Sequence, residues 1–172
     1  MKTDEHGYGK LNPNAPPELS RWSFLLGKWR CDALLKQADG TWQSLKAAWE
    51  GRAILDGYVI ADEYRMNTPA GDLMVLGLNL RSYDAKKKAW TMKWLNAMAG
   101  SWTDLGSDDQ GGVQISDKGI TYILKEPLGA HLFTRATYTN ISANHFTWRG
   151  EKSDDAKSWG EFLVIEATRL ND

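Results

Sequence analysis

The chain has 172 residues, 42% of them hydrophobic, with 21 Lys and Arg against 22 Asp and Glu and a formal net charge of -1. That length fits one domain with room for a core or a small barrel, and the balanced charge leaves no basic footprint for nucleic acid or an anionic membrane. A single cysteine, Cys31, excludes an intramolecular disulfide framework, and no apolar run approaches the roughly 18 residues of a membrane-spanning helix. The N-terminus lacks the basic and then apolar pattern of a signal peptide, so the expectation is a soluble cytoplasmic protein.

In chain order, residues 1–14 are polar and carry Gly7, Gly9 and Pro13; they read as a poorly ordered arm. Residues 15–172 read as one domain. Ala15-Pro16-Pro17-Glu18 resembles a helix start, because proline suits the first turn and Glu suits the dipole. Leu19, Trp22, Phe24, Leu25 and Leu26 give the next turns an apolar face, and Gly27 is a candidate cap. From Trp29 onward helical period gives way to short strand-like stretches separated by Gly, Asp and Asn turn signals. They run over 29–36, 42–50, 58–66, 73–83, 89–96, 100–105, 113–116, 120–125, 132–139, 145–150 and 159–168. About ten strands spaced near ten residues, with no long crossover, predict an all-β antiparallel up-and-down barrel behind one short N-terminal helix.

The stretch 81–96 is the clearest hairpin. Lys86-Lys87-Lys88 makes a solvated turn rather than a phosphate patch. In the strand that follows, Trp90, Met92, Trp94 and Asn96 share one face, while Thr91, Lys93 and Leu95 take the other. With Trp49, Trp102 and Tyr138 that aromatic face is the candidate wall of a ligand cavity; its other reading is an ordinary filled core. Nine tryptophans serve either purpose, since each combines a large apolar area with one polar N–H.

Phe24-Leu25-Leu26-Gly27-Lys28-Trp29 is similar to the Gly-x-Trp signature of lipocalin-like, or calycin, barrels. Tyr83-Asp84 to Trp94, Ile141-Ser142 to Trp148, and Glu151-Lys152-Ser153-Asp154-Asp155 to Trp159 resemble a bacterial family of lipocalin-like domains of unknown function. The resemblance covers Leu19 to Arg169. It implies a closed calycin barrel of about ten strands with an internal cavity, and no particular activity. Through Leu26-Gly27-Lys28-Trp29 the chain more distantly resembles nitrobindin-type haem barrels and fatty-acid-binding-protein-like barrels. This chain departs from the haem-binding pattern, carrying Cys31 and Ala33 after Trp29 and no histidine near its C-terminus. No cofactor and no metal is expected.

Candidate chemistry is sparse. His6, His131 and His145 have no metal-ligand spacing. His131 is the better functional candidate, because Phe133 and Arg135 alternate with it. Asp62-Glu63-Tyr64-Arg65 lies inside an otherwise apolar strand, so one of Asp62 and Glu63 must face the barrel interior. A buried carboxylate needs a partner, and Arg65 or Arg135 could supply it. Glu166 is a second candidate for an inward carboxylate. There is no nucleophile elbow, phosphate loop or dinucleotide fingerprint.

Three functions fit these residues. The first is a binder of a small hydrophobic or aromatic molecule, held by Trp49, Trp90, Met92, Trp94, Asn96, Trp102, Tyr138 and Glu166. The second is a cofactor-independent lyase, isomerase or cyclase using Asp62, Glu63, Tyr64, His131 and Arg135 for proton transfer and charge stabilisation. The third is an interaction module with a filled core.

Overall fold

The structure is a computed structural model describing residues 7–125 and 131–170. Among the described residues, eleven strands form one antiparallel sheet. They are β1 (Gly27–Lys36), β2 (Trp42–Ile54), β3 (Val59–Asn67), β4 (Leu73–Asp84), β5 (Ala89–Asn96), β6 (Ser101–Asp104), β7 (Val113–Ser116), β8 (Gly119–Lys125), β9 (Phe133–Thr139), β10 (His145–Ser153) and β11 (Gly160–Arg169). β1 pairs with both β2 and β11, so the first and last strands are neighbours and the sheet runs β6-β5-β4-β3-β2-β1-β11-β10-β9-β8-β7. The sheet curls until its ends meet. There the Leu105 N–H donates to the Met92 carbonyl and the Gly106 N–H to the Ile123 carbonyl, tying the segment after β6 to both β5 and β8.

The N-terminal helix is a 3-10 helix, Pro17–Leu25, rather than an α-helix. It plugs one end of the barrel. Trp22, fully buried, stands edge-on to Tyr138 with ring centroids 5.2 Å apart and to Trp90 at 6.2 Å. The helix exit is seated on Gly51, where a Cβ would meet the Leu25 carbonyl oxygen at 2.2 Å; Leu26 bridges to the same glycine. Only a residue without a side chain admits this approach. Trp29 stacks edge-on to Phe146 at 4.8 Å and donates its indole N–H to the Leu25 carbonyl, so the Gly-x-Trp segment welds the plug to the first strand.

Residues 7–14 pack beside the end of β2 and the turn after it: the Ala53 N–H donates to the Tyr8 carbonyl, the Asn12 N–H donates to the Gly57 carbonyl, and the Tyr8 ring is buried. Residues 1–6, which include His6, lie outside the described residues. No helix among the described residues is long and apolar enough to cross a membrane.

Candidate functional site

The barrel is not filled. A cavity of about 570 Å³ occupies the half away from the helical plug. Its apolar lining includes Trp49, Tyr64, Val75, Trp94, Trp148, Phe162 and Ile165, and its polar lining includes Asn79, Thr134, Tyr138 and Lys152. The exposed residues Asn96, Ala99 and Ser101, around the β5–β6 turn, mark its mouth. A volume of this size suits one drug-sized molecule.

Strand register explains which side chains reach it. Trp49, Tyr64, Gly77, Asn96 and Ser101 lie opposite one another across β2 to β6, and so do Gly51, Asp62, Asn79, Trp94 and Thr103. Gly77 has room for no side chain, because a Cβ there would fall 2.0 Å from the Trp94 ring. The missing side chain lets Trp94 lie flat over β4 as part of the wall. Trp148 and Phe162 crowd Gly150 in the same way, next to a register shift between Gly150 and Glu151. That bulge turns neighbouring residues Phe162 and Leu163 both onto the lining.

Beneath the lining sits a buried polar network. Asp62 and Arg81 are fully buried and form an ion pair through Oδ1 and Nη1. The other carboxylate oxygen of Asp62 accepts the Trp49 indole N–H at 2.7 Å and the Asn79 amide N–H at 2.7 Å. Arg81 Nη2 donates to the Tyr138 hydroxyl at 3.0 Å, and its guanidinium lies 4.6 Å from the Trp22 ring centroid. A desolvated cation over an indole face is stabilised by about 2 kcal/mol. Burial pushes the Tyr138 phenol well above its ordinary range, with Tyr122 adding to the rise and Arg81 opposing it. Burial also raises the Tyr64 phenol, whose hydroxyl points at Met66 Sδ 3.4 Å away. Both phenols are therefore neutral at physiological pH. Asp62 and Arg81 do not line the cavity themselves; Trp49, Asn79 and Tyr138 stand between the pair and the open space.

The residues singled out from sequence divide sharply. Trp49, Tyr64, Trp94, Asn96 and Tyr138 line the cavity. Trp90 and Met92 face inward but belong to the packing around the plug, Trp90 against Trp22 and Tyr83. Asp62 is the inward carboxylate of its pair, and its partner is Arg81 rather than Arg65 or Arg135. Glu63 points outward beside Arg65.

Four placements are corrections. Trp102 is 49% exposed, opposite Leu95 on the outer face, because β6 pairs so that Ser101 and Thr103 point inward. Arg135 lies on the outer face, forked onto Glu151 at 2.7 and 2.8 Å and stacked on Trp159. His131, just before β9, faces solvent next to Asp154. Glu166 is also external, accepting a hydrogen bond from Thr147 and lying 2.9 Å from His145 Nε2. In β9 and β11 the inward set is Thr134, Ala136 and Tyr138, and Leu163, Ile165 and Ala167. Asn79, Arg81, Trp148 and Phe162 were not anticipated. The mixed alternation of β4, with Gly77, Asn79 and Arg81 in one row, was the available signal for the first two.

Curled sheet, helical plug and internal cavity define a lipocalin-like barrel. The chain belongs to the family described as protein of unknown function (DUF1579), whose sequence profile matches residues 20–169. No curated protein matches it. Among solved structures it is similar to Rv2717c from M. tuberculosis, with a TM-score of 0.63 and 10% identity over 92% of this chain and 100% of that chain. It is also similar to the S-type phycobiliprotein lyase CPES from Guillardia theta, with a TM-score of 0.53 and 7% identity over 90% of this chain and 92% of that chain. At such identities the likeness is one of fold.

Proposed function

We propose that the protein binds a small hydrophobic or aromatic molecule inside its barrel. The observation that carries this reading is the cavity of about 570 Å³ walled by Trp49, Trp94, Trp148 and Phe162. Open space against four large aromatic side chains forfeits packing that a filled core would keep; a ring-bearing guest restores it. That a protein of similar fold is a phycobiliprotein lyase is compatible with this reading. The acid–base alternative retains little, since of Asp62, Glu63, Tyr64, His131 and Arg135 only Tyr64 lines the cavity.

The test is a fluorescence titration with an apolar naphthalene probe, using the nine tryptophans as the reporter. Saturable one-to-one binding is expected in the wild type. It should be lost in Ala136→Phe, which places a ring in the cavity from a fully inward position, and kept in Leu80→Ser on the outer face. Equal binding by wild type and Ala136→Phe would contradict the reading.

A further inference from the structure

Asn79 is buried to 6% exposure, yet it lines the cavity. Its amide nitrogen is spent on Asp62 Oδ2. Asp62 lies directly opposite Asn79 on β3 and is held from two further sides, by Arg81 and by Trp49. A carboxylate clamped by a guanidinium is an acceptor only. It therefore dictates which way round the Asn79 amide sits: the NH2 group faces Asp62 and the carbonyl oxygen faces away from it. The hydrogen bond that Asn79 makes to Asp62 leaves this oxygen unused by the carboxylate. The Asn79 carbonyl is thus an acceptor whose orientation Asp62 fixes, on a residue that lines the cavity.

We propose that Asn79 Oδ1 receives a hydrogen bond from the ligand, and that the ligand is an apolar, ring-bearing molecule whose inserted end carries a neutral O–H or N–H donor. This rests on the reading of the barrel as a small-molecule binder and specifies the chemistry of its guest. Electrostatics point the same way. Arg81 balances Asp62 behind the lining, so the deep end presents no free charge to the cavity. Among the lining residues Lys152 is the one charged side chain, and it sits over the Phe162 ring. An anionic head pushed to the deep end would meet the Asn79 oxygen and find no cation. Arg81 Nε and Trp22 Nε1 are buried without an acceptor, but neither residue lines the cavity, so they are out of a guest's reach. The role of Asp62 is then positional: it fixes the polarity of the amide that the ligand reads.

The test compares 2-naphthol with 2-methoxynaphthalene by calorimetric or fluorescence titration. The two share a ring system and an oxygen, and differ in the donated proton. The wild type is expected to bind 2-naphthol about tenfold more tightly, the equivalent of one neutral hydrogen bond. In Asn79→Leu the preference should fall to about one. Should that variant not fold, Asn79→Ala, which also removes the side-chain acceptor, takes its place. Equal affinities in the wild type, or a preference that survives at position 79, would overturn the donor assignment while leaving the cavity reading intact. Binding of neither naphthalene would remove both.

Discussion

β4 and β5 are neighbours that obey opposite rules. In β5 the apolar and aromatic row, Trp90, Met92 and Trp94, points into the barrel, and Thr91 and Lys93 point out. In β4 the inward row is Gly77, Asn79 and Arg81, while Leu76, Leu78 and Leu80 lie on the outer face, half-buried. Hydrophobic burial alone would turn β4 over. It stays because its inward polar groups are matched: Arg81 by Asp62, Tyr138 and the Trp22 ring, and the Asn79 amide by Asp62. β5 supplies wall and β4 supplies polarity, and Gly77 makes room for one to lean on the other. A strand that breaks the alternation of its own barrel marks where the interior is built for something other than packing.

The comparison can be broken most severely at Arg81. Arg81→Met leaves Asp62 buried without its cation and should cost about 3–5 kcal/mol in urea unfolding. The double variant Asp62→Leu with Arg81→Met should cost clearly less than the two single changes added together. Strict additivity would mean that the pair is not coupled. Next comes Gly77→Ala, whose Cβ lands on the Trp94 ring. It should destabilise by about 1–3 kcal/mol and change the emission of Trp94, read against a Trp94→Phe control. An unperturbed spectrum would mean that Trp94 does not lie on β4.

Alkaline pH gives an effect of its own. Burial, with Asp32 adding to it, pushes the Cys31 thiol up from 9.0 to about 12. A raised acid pKa in the folded state stabilises fully below the unfolded value and is lost as pH rises through the folded one. Stability should therefore decline between pH 9 and 12, and Cys31→Ala should flatten that decline, seen as melting temperature against pH. Parallel curves for variant and wild type would refute the assignment. The smallest change belongs to the outer row, where Leu80→Ser should cost no more than about 1 kcal/mol. A larger loss would show that the outer face of β4 is covered.

Much of the barrel was legible because alternation and turn residues are local. β5 and β7 begin and end where their alternation and flanking turns place them, and Gly-x-Trp marks the entry into β1. The aromatic wall was half legible. Trp94, Trp49 and Tyr138 follow from alternation, but Trp102 depended on how β6 pairs with β5, and a one-residue difference reverses its face. His131, Arg135 and Glu166 went astray for the same reason: alternation groups residues by face without saying which face is inside, and a matched outer pair such as Arg135 with Glu151 looks like buried chemistry in one dimension. The Asp62 partner was hidden because β4 reads as a leucine strand, so its polar row passes for the solvent side. The bulge beside Gly150, which brings Phe162 inside, leaves no periodic trace.

The central claim is that the barrel holds a small molecule, and the most direct measurement is native against denaturing mass spectrometry of freshly purified protein. The account predicts an excess mass in the native spectrum that leaves on denaturation and is absent from Ala136→Phe. A native mass equal to the bare chain, unchanged after incubation with 2-naphthol, would contradict it.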